Sequence, residues 1–205
     1  YEELHSSRGT PTFGPVGSPL QNVGITPSAI SSFQAIAKNK YGIDVGTLDV
    51  PSGAEVAVKD MLLKLDWNIS DNHRANLRVT KTEQNEPIFS NFSSSSLGLS
   101  TNWYNQGKVV ETKVAQLFSD WTPDFSTEVK LSRRDYDSLP VNGSTLPQIA
   151  LNFQNALPAG MAPSTPTSRF LDAGTERSRQ FNQLITTTDD PYFGGTLAPG
   201  GHEIQ

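Results

Sequence analysis

The chain carries one stretch of strict alternation between apolar and polar residues, Leu63-Lys64-Leu65-Asp66-Trp67-Asn68-Ile69, followed by Ser70-Asp71-Asn72. Side chains of a β-strand point alternately to its two faces, so this stretch predicts a strand with one apolar and one polar face. The Ser-Asp-Asn triplet has the composition of a tight turn. Alternation then resumes, which predicts the return strand of a hairpin with Ala75, Leu77 and Val79 on one face and Arg74, Asn76 and Arg78 on the other.

A second hairpin follows the same pattern. Its first strand is predicted from about 109 to 121 and includes Leu117 and Trp121, and its turn is Thr122-Pro123-Asp124. The return strand, through about 137, begins at Phe125 and again alternates. A looser pattern over about 181–197 predicts a further strand or two within 174–205, turned by Pro199-Gly200-Gly201 toward His202.

The remaining segments are predicted to be connections. Residues 1–55 are rich in turn residues and form a loop region, with a helix at about 27–41 that Thr26 caps and Gly42 ends. Ile30, Phe33, Ile36 and Ala37 form its apolar stripe. Residues about 85–107 and 138–173 are predicted as long polar loops. Short turns therefore alternate with long loops, a layout typical of outer-membrane barrels, whose short turns are periplasmic.

Composition narrows the class of protein. Of 205 residues only 35% are apolar, with 16 glycines and 14 prolines, which favours short strands and long polar connections over a helical bundle. The net charge of −5 and the absence of a basic block argue against nucleic-acid binding. There is no cysteine, hence no disulfide framework or thiolate site. No run of about 18 apolar residues occurs, which excludes a membrane-spanning helix.

Alternation alone is compatible with two architectures. In a soluble β-sandwich the apolar faces turn inward, whereas in a transmembrane barrel they meet lipid and the polar faces line the lumen. Tryptophan is favoured at the membrane interface. Trp67 lies three residues before its turn, Trp121 abuts the second turn and Phe125 lies just beyond it. The two tryptophans are therefore expected at matching heights, which indicates such a girdle; they would equally cap the end of a soluble core.

The stretch from Lys64 to Arg74 resembles TonB-dependent receptors, particularly their Oar-like branch. Further similar segments follow in order: Leu117-Phe118-Ser119-Asp120-Trp121, Gly174-Thr175-Glu176, Arg179-Gln180-Phe181-Asn182-Gln183-Leu184, and Gly194-Gly195-Thr196-Leu197 before Gly201-His202-Glu203-Ile204. The helix ending at Lys40-Tyr41-Gly42 is also similar. The resemblance covers roughly residues 25–205.

The resemblance implies an all-β fold: a segment of an antiparallel transmembrane β-barrel, here an open sheet of about five to six strands in one domain spanning 1–205. It places the chain in the outer membrane of a Gram-negative bacterium, in a receptor that takes up a bulky, unidentified extracellular nutrient. Its partners would be outer-membrane lipid and the TonB system. TonB would act through a plug domain that this chain lacks, and both ends of the chain read as cut from a longer polypeptide.

The same resemblance assigns faces to individual residues. The lumen-facing set is Lys64, Asp66, Asn68, Arg74, Asn76 and Arg78. The lipid-facing or girdle set is Leu63, Leu65, Trp67, Leu77, Val79, Leu117, Trp121 and Phe125. Arg133 and Arg134 are expected beyond the lipid band, near acidic headgroups. No substrate-binding residue follows from the resemblance.

Other kinds of site find little support in the sequence. His5, His73 and His202 lack a paired ligand spacing, and the acidic residues Asp135, Asp137 and Asp189-Asp190 lack that of a calcium loop, so no metal site is predicted. No nucleophile elbow or glycine-rich oxyanion segment occurs, so neither catalytic residues nor a cofactor are expected. The alternative function is a secreted or cell-surface β-sandwich that binds carbohydrate or a protein partner.

Overall fold

A computed structural model describes residues 1–154, 156–161 and 165–198. The chain is all-β with one helix, and among these residues no helix is long and apolar enough to cross a membrane. The predicted turn at 199–201 and His202 lie outside the described residues. In chain order the elements are β1 (Glu2–Ser7), β2 (Phe13–Gly14), β3 (Gln21–Asn22), α1 (Pro27–Tyr41), β4 (Glu55–Ser70), β5 (His73–Ile88), β6 (Ser96–Gly98), β7 (Tyr104–Thr122), β8 (Phe125–Asn142), β9 (Ile149–Phe153), β10 (Arg169–Ala173) and β11 (Leu184–Leu197).

The largest element is a six-stranded sheet with the order β1-β4-β5-β7-β8-β11, here called the main sheet, in which every neighbouring pair is antiparallel. Both predicted hairpins are confirmed: Leu65 lies opposite Leu77 in the first, and Leu117 opposite Val129 in the second. Their strands are 16 to 19 residues long, longer than predicted. Among the described residues the sheet is open, with β1 and β11 at its two edges.

Both short turns lie at one end of the main sheet. His73, which follows the first turn, is level with Ser119, and the Asp120 amide donates to the Asn72 carbonyl at 2.8 Å. The Ala198 amide likewise donates to the carbonyl of Asp124 in the second turn at 2.8 Å. The long connections are therefore all at the opposite end, as the sequence predicts.

The long connections are not the structureless loops that were predicted. We call them together the cap: the described residues of 8–54, 89–103 and 143–183. The second and third parts contain β6, β9 and β10, which form a three-stranded sheet in the order β6-β10-β9. The prediction failed because these strands are only three to five residues long, too short to show alternation, and are held by packing against distant segments.

Two terminal segments also differ from expectation. β1 lies within the predicted loop region but pairs with β4, from Glu2 opposite Asp60 to Ser7 opposite Glu55. Its mostly polar sequence carries no alternation, so only backbone pairing shows that it is a strand. At the other end β11 is one strand starting at Leu184, and the preceding residues from Gly174 onward form bends and turns.

The helix is where it was predicted. The Ala29 amide donates to the Thr26 hydroxyl at 3.2 Å, and Gly42 ends the helix in a left-handed conformation at φ 69° that a side chain would strain. Ile30 and Ala37 are buried, with Phe33 packed beside them, but Ile36 is half exposed. The apolar stripe is therefore narrower than predicted, since position 36 lies about 100° from position 37 on the helix.

The buried apolar cluster of the described residues belongs to the cap. It comprises Val23, Ile25, Ile30, Ala37, Val45, Leu97, Leu99, Leu171 and Ala173. The helix therefore packs against cap residues from three connections and leaves most apolar side chains of the main sheet exposed.

Candidate functional site

The two faces of the main sheet are the candidate functional surfaces, and strand register defines them. Residues directly opposite each other on paired strands project from the same face. One register row contains Trp67, Ala75, Leu117, Val129 and Phe193, and the next contains Leu65, Leu77, Ala115, Leu131 and Pro191. With Leu63 and Val79, these residues form a surface that we call the apolar band.

The apolar band is exposed over its whole width. Leu65 is 58% exposed, Leu131 59% and Phe193 73%. Along β4 the alternation runs from Leu63 to Ile69, a length of about 20 Å at 3.4 Å per residue. Contiguous exposed apolar surface of this extent marks a contact with lipid or with another protein.

The two predicted girdle tryptophans lie on this face but not at one height. Trp67 is in the register row of Leu117, so Trp121 lies four residues nearer the short turns. The Trp121 indole N–H donates to the Thr127 hydroxyl at 2.9 Å, and its ring meets that of His73 edge-on at 5.1 Å. The offset arises because Trp67 precedes its turn by three residues, whereas β7 continues for three residues past Ser119, the partner of His73, before its own turn begins. Phe125, the first residue of β8, lies opposite Leu197 at the same end.

A charged zone borders the apolar band on the side of the cap. Lys113 and Arg133 lie directly opposite each other, in the same register row as Leu63 and Val79 at the cap-side limit of the band. Each contacts an acid farther from the band: Lys113 Nζ lies 2.8 Å from Glu111, and Arg133 Nε 3.4 Å from Asp135. Lys81 Nζ and Glu83 make a similar pair at 2.6 Å. Such exposed ion pairs contribute little to stability, because water and salt screen them.

The opposite face of the sheet, here called the polar face, carries all six residues predicted to face a lumen. Asp66 accepts from Lys64 Nζ at 2.8 Å and from Asn76 Nδ2 at 2.7 Å. Asn68 lies opposite Arg74, and Lys64 opposite Arg78. The prediction therefore separates the two faces of the first hairpin correctly, although the register alone does not say what either face meets.

Beyond the first hairpin the polar face continues onto β7 with Gln116 and Phe118, which were not assigned to a face from the sequence and contact residues that were. The Arg74 guanidinium lies 5.1 Å above the Phe118 ring, a cation–π arrangement. Gln116 Nε2 donates to Glu128 at 2.8 Å. These residues alternate with Ala115, Leu117 and Val129 in their strands, so the signal that could have identified them is the same period of two.

A depression of about 500 Å³ lies on the apolar face near the middle of the main sheet. The small side chain of Ala115 leaves a gap between Leu77 and Leu131, and Val79 and Pro191 complete its apolar lining. Lys113, Arg133 and Asp189 lie along its cap-facing side. The sequence analysis missed this feature because it depends on residues from four strands.

The histidine and acidic residues that the sequence analysis considered as metal ligands do not converge on one centre. His5 contacts Glu3 and Glu55 on the paired strands β1 and β4, whereas His73 lies beside Trp121 at the short turns. Asp135 contacts Arg133 and Thr187, and Asp189 lies 3.9 Å from Arg133. Among the described residues, no three histidine or acidic side chains are placed to hold a metal ion.

Two acids in the cap have perturbed pKa values of opposite sign. Burial raises the pKa of Asp172, partly offset by a hydrogen bond with Gln148. The pKa of Glu176 is lowered, chiefly by a hydrogen bond from Ser178 and also by Arg179, whose Nε lies 2.5 Å away. Each acid has a structural explanation, so neither indicates a catalytic role.

Comparison of this chain with protein-family models, with curated proteins and with solved structures finds no match.

Proposed function

We propose that the main sheet is a segment of a transmembrane β-barrel in the outer membrane of a Gram-negative bacterium. In this proposal the apolar band meets lipid, the polar face lines the lumen, the short turns are periplasmic and the cap is extracellular. The barrel belongs to a TonB-dependent receptor that takes up a bulky nutrient, with energy delivered through a plug domain. The receptor class and the plug rest on the resemblance of residues 25–205 described above.

The observation that carries the membrane assignment is the exposed apolar band. Transfer of one large apolar side chain from water to apolar surroundings is favourable by about 1.5–3 kcal/mol. Such side chains lie on five strands of the band. The helix does not cover them, because its buried residues pack in the cap.

The length of the strands supports the same arrangement. A strand crosses the bilayer core with about 9–11 residues, whereas β7 has 19. The residues of β7 and β8 that follow the band toward the cap, from Lys113 and Arg133 onward, include charged pairs suited to water. In this proposal the strands therefore rise beyond the outer leaflet and carry the cap above the membrane.

Site-directed spin labelling of the complete gene product in lipid vesicles tests the proposal. A label at Leu65→Cys should collide readily with dissolved oxygen and little with a water-soluble nickel complex. The matched control is Gln116→Cys, from a polar-face row adjacent to that of Leu65. Its label should show the opposite preference. Equal access of the nickel complex to both labels would contradict a membrane-facing band and favour a soluble β-sandwich instead.

A further inference from the structure

The border between the apolar band and the charged zone has the features of a lipid site. Lys113 and Arg133 lie opposite each other on β7 and β8, and like charges in this arrangement repel. Their side chains are about half exposed. An anion placed between them would convert the repulsion into two attractive contacts.

The depression beside these cations supplies the apolar half of such a site. It is about 500 Å³ in volume and lies over Ala115, with Leu77 and Leu131 on either side. Because Lys113 and Arg133 lie along its cap-facing side, a molecule with a phosphate and an acyl chain fits both features together. Neither inorganic phosphate nor an uncharged hydrocarbon would use both.

The described lysine and arginine side chains of the apolar face lie on one side of the band only, the side of the cap. The row next to it on the side of the short turns contains His73, Ser119, Thr127 and Gly195. The lysines and arginines of this face, among the described strands, all lie on the cap side: Lys59, Lys81, Lys113 and Arg133. Of these, Lys113 and Arg133 are nearest the band, where a lipid phosphate would lie.

We propose that Lys113 and Arg133 bind the phosphate of an outer-leaflet lipid whose acyl chain occupies the depression over Ala115. This inference rests on the proposed membrane location of the apolar band. The acids at Glu111, Asp135 and Asp189 compete for the same cations through exposed contacts, which are weak enough for the cations to turn toward a phosphate.

The test measures binding of dihexanoyl phosphatidic acid to the purified complete protein. The protein is held in a nanodisc of phosphatidylcholine, a zwitterionic lipid, without detergent. We expect saturable binding that weakens at least tenfold in the double variant Lys113→Gln/Arg133→Gln. Lys130→Gln is the matched control and should leave binding unchanged. It also removes a cation from β8, but Lys130 lies opposite Gln116 on the polar face of the sheet. Equal binding by the double variant and the control would overturn the proposal.

Three further measurements test the site, and the first and third separate a lipid from a free anion. Ala115→Leu fills the depression without altering charge and should weaken phosphatidic acid binding severalfold. Glu111→Gln removes the carboxylate 2.8 Å from Lys113 and should tighten it. If inorganic phosphate competes at the same concentration as phosphatidic acid, the site binds an anion and not a lipid. A spin label at Leu65 distinguishes failure of this inference from failure of the proposed function. A label exposed to water rejects the membrane location itself. A lipid-exposed label, together with unchanged phosphatidic acid binding in the double variant, rejects the lipid site alone.

Discussion

The side-chain amide of Gln180 donates a hydrogen bond of 2.6 Å to the main-chain carbonyl oxygen of Asn102, across 78 residues of sequence. Both residues are buried. Asn102 in turn donates through Nδ2 to the Gly174 carbonyl at 2.7 Å and accepts from Asn91 at 3.0 Å. The pair thus joins the β5–β7 connection to the β8–β11 connection, two of the three parts of the cap.

Replacing Gln180 by Ala should loosen the cap while the main sheet stays paired. The change removes the amide donors from a buried site, a loss of about 1–3 kcal/mol. Hydrogen exchange followed by mass spectrometry should show faster exchange in peptides covering 96–103 and 169–175. Gln183→Ala is the matched control, because Gln183 makes an exposed contact with Asp137 at 2.9 Å. Unchanged exchange in the Gln180 variant would show that the pair does not hold the connections together.

Replacing Asp172 by Asn should stabilise the cap at neutral pH. Burial raises the pKa of Asp172 in the folded protein, so ionisation opposes folding. This unfavourable contribution is absent below the ordinary pKa of 3.8, develops as pH rises toward the folded pKa, and is complete above it. The stability difference between variant and wild type, measured by hydrogen exchange across 169–175, should therefore grow between pH 4 and pH 7. A difference that shrinks over this range would give the wrong sign for a buried acid.

An arginine at position 65 should destabilise the membrane-inserted protein. If Leu65 faces lipid near the bilayer midplane, the expected loss is about 2–4 kcal/mol. Gln116→Arg provides the control on the polar face, where we expect a change of less than about 1 kcal/mol. Equilibrium denaturation in lipid vesicles measures both. A neutral effect at position 65 would indicate that this face never meets lipid.

Adding one methyl group at Gly98 should disturb the cap by steric overlap alone. A Cβ there would lie 2.2 Å from the Ser90 carbonyl oxygen, so the backbone must shift. Overpacking of this kind costs about 1–3 kcal/mol. At Gly143 the nearest atom would be 3.4 Å away, an ordinary contact, so Gly143→Ala is the control. Thermal unfolding monitored by the fluorescence of Trp103, which packs beside Gly98, should report the difference.

Residues 1–205 by themselves should form no pore. Six strands fall short of the roughly eight in the smallest bacterial membrane barrels. The main sheet leaves the outer edges of β1 and β11 open among the described residues, and such edges seek further strands. Conductance across planar bilayers after addition of the purified chain should stay at background, with an intact porin as positive control. Discrete, reproducible channels would mean that the chain closes alone or by oligomerising.

Features that depend on local pattern could be predicted from the amino-acid sequence. Alternation at Leu63–Ile69 and Ala75–Val79 identified the first hairpin and separated its faces, because a strand places successive side chains on opposite sides. Thr26 and Gly42 identified both ends of the helix, because each satisfies backbone groups within its own few residues.

Features that depend on distant partners could be seen only in the folded chain. β1 became a strand by backbone pairing with β4, although its mostly polar sequence shows no period. Leu97, Leu99 and Leu171 became core because the helix packs near them, and Asn102 meets Gln180 only when two connections fold together. Such contacts leave no periodic signal, since each side chain is selected by neighbours far away in the chain and not by its position along a strand.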